Sequence, residues 1–528
     1  MDHSSGNQSP RAPGPASDRE QWSQLGQGTA TLGLFLYSAF APHSIAAAEI
    51  SLAIVGAGWL VRSIASKSSG FVRTRFDIPI ALFFLWTVAS AFLSQEPRIS
   101  LAKIQSTCVV LLFYLTQATV SRRTAVLLVA VMILSGVTGT LYGVYDLARG
   151  RGVVIESISP ESPLQPLHLN VGDAIWRVGG QRVYSVDEIN EAIRKVPAET
   201  KLSVSAISQG EHVERPGLLV TPAIKERPSP SGIAGTKPTH RFRASGWTRH
   251  YETFSEILQI LAQLALGLAV ANFKNHRLNL RAKLASAAFA LLALGIVLTA
   301  MRTVLVALVV GIVVISLRAL GRRARVLSLA GICILIAVSA FVVYQTRAQH
   351  ALSLQDPSSE LRVQVARVGL SRIALHPLFG HGMDSLHVHW NEWGFPGTDM
   401  LHLHSTPLQL AFERGLPALI FWLWIMWLFW RTASAGEKSL RDSSDTNAYG
   451  LLLGATGALA GFFASSLVNY NFGDGEVALL FWWLLGLSLQ CWPKETEKRS
   501  RRSFKLHRRS FGASSQTTSN QTQREPNQ

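Results

Sequence analysis

The feature that most limits what this chain can fold into is its series of long apolar segments. They stand at roughly 28–42, 45–62, 77–94, 106–121 and 124–147 and, after a polar break, at 255–272, 283–300, 303–320, 326–344, 407–430, 447–468 and 476–492. A hydrocarbon core about 30 Å thick takes about 20 helical residues, and inside it only helices or closed barrels satisfy their own backbone groups. An α-helical polytopic membrane protein with about twelve transmembrane helices is therefore expected. Composition agrees, because 48% of the 528 residues are hydrophobic and only 16% are charged, too apolar a balance for an ordinary soluble chain.

The charge balance, 50 Lys and Arg against 33 Asp and Glu for a net +17, would suggest a nucleic-acid partner in a soluble chain. In a membrane protein the same excess reports topology, since Lys and Arg collect in cytoplasmic loops. Arg62, Lys67, Arg73 and Arg75 follow the second segment, and Arg122 and Arg123 the fourth. Lys274, Arg277, Arg281 and Lys283 follow the sixth, and Arg318, Arg322, Arg323 and Arg325 the eighth. Arg431, Lys438 and Arg441 follow the tenth, and the Lys/Arg-rich stretch from Lys494 to Arg509 follows the last. All are even-numbered exits, so both termini are expected in the cytoplasm and the two large polar insertions outside, in a periplasm-like space. The basic tail, 493–528, reads as an anchor near anionic lipid, and no nucleic-acid partner is expected. Residues 1–27, rich in Ser, Pro, Gly and Gln, read as a disordered cytoplasmic tail and not as a cleavable signal peptide. Cys108, Cys333 and Cys491 lie far apart inside apolar runs, which points to packing over a disulfide or metal role.

The first insertion, 150–222, carries more acidic than basic residues and reads as a separate small α+β domain. Val153–Ile158, Ala174–Val178 and Leu202–Ile207 alternate as strands, and Val186–Val196 reads as a helix with Ser185 as its N-cap. Turn signals stand between them at Ser162-Pro163, Val171-Gly172-Asp173 and Gly179-Gly180-Gln181. This order resembles a bacterial PDZ domain, carried by Gly152-Val153-Val154-Ile155, Ser162-Pro163, Gly172-Asp173-Ala174-Ile175 and Gly179-Gly180-Gln181. The resemblance implies addition of an extended peptide to a sheet edge and capture of a C-terminal carboxylate, with Arg151, Gly152 and Val153 as the cradle. The alternative is a domain that keeps this fold as a spacer without a ligand. Residues 223–250 read as a Pro/Ser/Gly-rich linker back to the membrane.

The second insertion, 345–406, concentrates ionisable groups in an apolar chain, and loops on a rigid scaffold are where function gathers. Glu360–Ala374 has helical spacing, and Arg367 and Arg372 read as its solvated face. Downstream stand Pro377-Leu378-Phe379-Gly380-His381-Gly382 and Leu401-His402-Leu403-His404-Ser405, then, nine residues on, Gly415-Leu416-Pro417-Ala418. An Arg facing the membrane interior is costly enough to be functional by default, and Arg302 opens the eighth segment. Arg243 and Arg249 precede the sixth.

These motifs resemble the O-antigen ligase and O-antigen polymerase superfamily of membrane glycosyltransferases. The family's His-Asn pair followed by Gly-x-x-Gly corresponds to His404-Ser405 and Gly415-Leu416-Pro417-Ala418, with Ser405 and Ala418 departing from it. Its upstream Arg and Pro-Leu-Phe-Gly-x-Gly turn correspond to Arg362 and residues 377–382, its Ser-Arg-Gly to Met301-Arg302-Thr303, and its last external turn to Val468–Asp474. The resemblance implies a GT-C-like helical fold and transfer of a glycan from undecaprenyl pyrophosphate to an acceptor such as the lipid A core of lipopolysaccharide, with inversion and without metal or cofactor. Polymerisation of a lipid-linked polysaccharide and glycan transfer to protein remain alternatives. His404 and Arg302 are the expected catalytic residues. Arg362, Arg243, Arg249, His250, Ser405 and Gly415 are the expected substrate contacts.

The chemistry of the residues agrees. Arg offers phosphate oxygens a planar, permanently charged fork, and a neutral His suits a sugar hydroxyl that needs a proton acceptor. The pairs His387/His389 and His402/His404, with Asp384 and Asp399 nearby, invite a zinc reading, but no further ligands complete a site. Two other classes remain open. One is a membrane-anchored scaffold or sensor whose PDZ-like domain binds C-termini, and the other a transporter, against which stands the lack of paired charges within the segments. The expected location is the bacterial inner membrane.

Overall fold

The computed structural model describes residues 18–150, 152–167, 169–208, 211–238, 243–248, 250–275, 279–346, 357–397 and 400–492. Among these, eight helices are long and apolar enough to cross a membrane: Ile45–Ser66, Arg122–Arg149, Tyr251–Phe273, Leu280–Leu298, Arg302–Ala319, Arg322–Val342, Leu416–Leu440 and Thr446–Ser466. Asp77–Leu93, Ile104–Thr119 and Gly475–Gln490 are apolar but shorter, and Asp18–Phe40 is long but polar in its first half.

Three sequence expectations shift here. Residues 18–27, expected in the disordered tail, begin a helix: Asp18 and Glu20 occupy its first turn, where negative charge suits the helix dipole, and Gln27 bonds the Thr119 carbonyl at 2.8 Å. The apolar run at 407–430 is broken into helices Thr406–Arg414 and Leu416–Leu440. Of the cysteines, only Cys491 is buried; Cys108 and Cys333 lie on the outer surface, and all three are free.

Helices Tyr251–Asn275 and Thr446–Ser466 make the centre, 83% buried over their apolar windows, against 11% for Arg322–Val342 at the rim. A Cβ on Gly267 would stand 2.4 Å from Gly450 O and Gly454 N, so the two central backbones touch. Small residues at such crossings are what membrane helices use where burial of apolar surface gives little drive. Gln263 of the same central helix donates to the Leu308 carbonyl at 2.9 Å, fixing helix Arg302–Ala319 beside it.

The first insertion is a six-stranded antiparallel sheet with one helix. Its strands are β1 (Val153–Ile158), β2 (Ala174–Val178), β3 (Gln181–Arg182), β4 (Thr200–Ser208), β5 (Glu211–Val220) and β6 (Ile233–Pro238), in the order β5-β4-β2-β1-β6 with β3 beside β2. Helix Val186–Lys195 opens at Ser185, whose hydroxyl accepts the Glu188 N–H at 3.2 Å, while the Glu188 carboxylate accepts the Tyr184 N–H at 2.9 Å. Its apolar face, Ile189 and Ile193, packs on Ile155, Ile175 and Val204.

The linker expected over 223–250 is largely structured. It contributes the short helix Pro222–Lys225 and β6. β6 pairs with β1, so Val153 faces Ile175 on one side and Pro238 on the other. The free edge expected at Val153 is thereby filled by the chain itself. Gly152, at φ +76°, would bring a Cβ to 2.5 Å from Ile175 O, so it is needed for close strand packing. Arg151 lies outside the described residues.

The insertion is also locked to the helical part. Arg182 forms a 2.9 Å ion pair with Asp146 at the end of helix Arg122–Arg149, and donates to Tyr142 Oη at 3.0 Å and the Gly246 carbonyl at 2.7 Å. Tyr184 donates to the other Asp146 oxygen at 2.8 Å. Asp146 is 1% exposed, and a buried charge of this kind holds only with its partners in place.

Candidate active site

The second insertion builds a site around its own apolar core. Helix Pro357–Leu375 packs Val365 and Ile373 on Leu386, Trp390, Trp393, Leu403 and Phe412. Arg372, expected on the solvated face, donates instead to the Trp393 carbonyl at 2.9 Å and pins that loop; Arg367 is exposed. His381 is buried on Phe412 and bridges Gln95 and the Arg372 carbonyl, so its role is architectural. Burial, above all, lowers its pKa to about 4.

His404 precedes helix Thr406–Arg414 in a left-handed conformation, φ +51°, a strained placement for a non-glycine residue that surrounding structure must hold. The holding contacts are visible. Ser405 caps the helix by accepting the Leu408 N–H at 3.5 Å. Thr406 N–H and hydroxyl both donate towards the Asn469 carbonyl, at 3.0 and 3.1 Å, and the hydroxyl reaches Asn471 Oδ1 at 2.9 Å. On the other side, Gln409 accepts the Leu403 N–H at 2.7 Å and donates to Glu413 at 2.9 Å. Glu413, 5% exposed, also accepts the Tyr470 hydroxyl and the Asp384 N–H, both at 3.2 Å. Burial and Glu413 push the Tyr470 phenol well up, so it stays a donor.

The imidazoles of His402 and His404 lie 4.5 Å apart, and Tyr470 lies 5.6 Å from His402. Burial first, then neighbouring His402 and Arg362, lower His404 to about 3. Burial and Arg362 lower His402 to about 4. Both rings are therefore neutral near pH 7. The Nδ1 of His404 and the Nε of Arg362 are buried and meet no hydrogen-bond partner among the described residues. A neutral acceptor and a guanidinium donor thus stand together with unmet bonding capacity, which suits a hydroxyl on one side and an anionic oxygen on the other.

Gly415 ends helix Thr406–Arg414 at φ +82°, and a Cβ there would stand 1.8 Å from Leu378 O. Its N–H bonds the Ala411 carbonyl, and the next N–H, that of Leu416, bonds Pro377 at 2.8 Å. Gly415 and Ser405, expected as substrate contacts, shape the backbone that presents His404.

The remaining arginines form a second group. Arg302 opens helix Arg302–Ala319 after a turn in which Ala300 is left-handed, φ +52°. It heads an apolar groove of about 320 Å³ between this helix and Arg322–Thr346, lined by Leu305, Val306, Val309, Leu335 and Ile336. Arg243, 5% exposed, stacks on Tyr251 at 4.4 Å, and the next residue, Ala244, bonds the Leu298 carbonyl at 3.0 Å. Arg243 therefore sits against the turn that leads into Arg302. His250 is exposed, and its carbonyl receives the Phe254 N–H at the start of the central helix. Arg249 lies outside the described residues. The central helix joins the two groups: Tyr251 lies under Arg243, and Glu256 accepts Asn469 Nδ2 at 2.7 Å and Ser465 Oγ at 3.1 Å.

Sequence reasoning missed Glu256, Gln409 and Glu413. Glu256 had a signal, a carboxylate within an apolar segment; Gln409 and Glu413 had none beyond an i, i+4 spacing. The zinc pairs separate: His389 bonds Glu392 at 2.7 Å, whereas His402 and His404 face each other. No group of three metal-ligating side chains forms among the described residues, and Asp399 lies outside them.

The class these features define is a mostly helical polytopic membrane protein. The O-antigen ligase family model matches residues 287–423, a stretch that holds Arg302, Arg362, His404 and Gly415. That segment is therefore similar to the O-antigen ligase family, and the likeness supports an enzyme role in general. No curated protein matches the chain.

Proposed function

We propose that this chain transfers a glycan from undecaprenyl pyrophosphate to an external acceptor such as lipid A core. The observation that carries the reading is the placement of neutral His404 and cationic Arg362 together, both with unmet hydrogen bonds, within the matched family segment. The acceptor hydroxyl attacks the anomeric carbon, the carbon–oxygen bond to pyrophosphate breaks with inversion, the pyrophosphate leaves as the anion, and the hydroxyl proton passes to neutral His404. His404 accepts and orients that hydroxyl. Arg362 and Arg302, with Arg243 behind the turn, stabilise the departing pyrophosphate, so positive charge comes from side chains and not from a metal. The apolar groove below Arg302 suits the isoprenoid chain.

The rest of the reading follows the same lines. All twelve helical segments cross the inner membrane, with both termini cytoplasmic, supported by the cationic even-numbered exits. The insertion at 150–222 is PDZ-like and lies in the periplasm with the 345–406 loop. His250 and, outside the described residues, Arg249 complete the set of proposed substrate contacts.

The test is transfer of radiolabelled glycan from undecaprenyl pyrophosphate by purified protein in detergent, with EDTA present and with His404→Ala and Arg302→Ala alongside. Label on lipopolysaccharide core, lost in both variants and indifferent to EDTA, supports ligation; a ladder on the lipid carrier or label on protein selects the alternative acceptors. Retained transfer in the variants overturns the mechanism, and no transfer to any acceptor favours the scaffold reading.

A further inference from the structure

The β1 edge of the insertion is where a PDZ-like domain would receive a peptide, and it is already occupied. β6 runs antiparallel along β1, with Val154 opposite Lys237, Ile155 opposite Thr236 and Ile158 opposite Ile233. Before β6 the chain crosses helix Val186–Lys195: Arg194 donates to the Pro228 carbonyl at 2.9 Å, and Asn190 Oδ1 accepts the Ser231 N–H at 2.9 Å. Ser162, from the turn after β1, donates to the Ser231 carbonyl. Ile233 then enters the domain core, 4% exposed. Without this segment the sheet would end at β1, because the order is β5-β4-β2-β1-β6, and an open strand edge seeks a partner.

We propose that the insertion is a strand-addition module closed in cis, with residues 227–238 as its internal ligand, exchangeable for an extended peptide of the same pattern. The proposal rests on the peptide-binding reading of the insertion and is independent of glycan transfer. Strand pairing supplies affinity through the backbone, and one pocket, filled by Ile233, supplies selectivity. Covalent attachment gives the internal segment an effective concentration on the order of millimolar, so a free peptide at micromolar concentration does not compete until the internal copy is weakened.

The probe is a fluorescent synthetic peptide of residues 227–238, Arg-Pro-Ser-Pro-Ser-Gly-Ile-Ala-Gly-Thr-Lys-Pro, titrated by anisotropy against the full chain in detergent. Wild type is expected to show no saturable binding below about 100 μM, and Ile233→Asp at least about tenfold tighter binding, as release from cis competition predicts. A peptide carrying the same Ile233→Asp change should not bind either protein. Hydrogen exchange at the β2 and β4 amides checks that the variant is folded; if it is not, Asn190→Ala combined with Thr236→Pro weakens the segment without touching the core. A folded variant that binds no peptide, or a wild type that binds as tightly as the variant, overturns the proposal. Equal binding of the amide and free-acid peptides supports strand addition and would retire only the carboxylate cradle at Gly152. Glycan transfer enters none of these readouts, so failure here leaves the enzyme reading standing, and the reverse.

Discussion

Tyr470 donates its hydroxyl to Glu413 at 3.2 Å, and together with the bonds of Thr406 to Asn469 and Asn471 it joins the turn before the last helix to the short helix that follows His404. Glu413 also takes Gln409 and the Asp384 N–H, so three donors depend on one buried carboxylate. Glu413→Ala should cost roughly 2–4 kcal/mol, the range for orphaning buried partners, while Glu413→Gln should cost less. Thermal unfolding in detergent reads the difference, and equal Tm values for both variants would show that the network does not hold the loop.

Acid should destabilise the site. In the unfolded chain His402 and His404 take up protons below about pH 6.5, whereas in the folded protein they resist until about 4 and 3. The unfolded state then binds more protons across that window, so stability is complete above about pH 6.5 and is lost as pH falls. Melting at pH 7 and 4.5 should show the drop, and replacing both histidines with Asn should shrink it, leaving the part that buried His381 contributes.

Gly415→Ala should destabilise by roughly 2–4 kcal/mol, since it combines a left-handed φ with a backbone collision. The carbonyl in the way, Leu378 O at 1.8 Å, belongs to the loop and cannot rotate aside. A Tm unchanged from wild type would show that the helix break is set elsewhere.

Arg182→Ala should loosen the insertion without unfolding it, because Asp146 is buried, loses this cation and keeps the Tyr184 hydroxyl bond. Breaking a buried pair costs about 3–5 kcal/mol. Limited proteolysis should cut faster around 239–249, and an unchanged pattern would place the anchor in the apolar contacts of Trp176, Leu147 and Ile207.

Arg362→Lys keeps the charge but loses the planar fork, so glycan transfer should fall about tenfold or more with protein levels unchanged. Full activity in that variant would remove Arg362 from the phosphate-binding set.

The sequence by itself determined the parts governed by local, periodic physics. Apolar length placed the helices, since no lipid-exposed backbone can stay unpaired, and alternation with turn residues placed β1, β2, β4 and the helix at Val186. The resemblance carried by His404, Gly415 and residues 377–382 found the region that the family model matches. Tertiary structure decided what depends on contacts distant in sequence. That Gly415 meets the Leu378 carbonyl, that Glu413 and Gln409 brace the histidine loop through Tyr470 and Leu403, and that Arg372 holds Trp393 could not be read from spacing, because these partners lie outside the elements that carry the residues. Nor could the linker after 225 be seen as β6: its Gly, Ser and Pro residues favour coil locally, and only the open edge of β1 gives their backbone a partner.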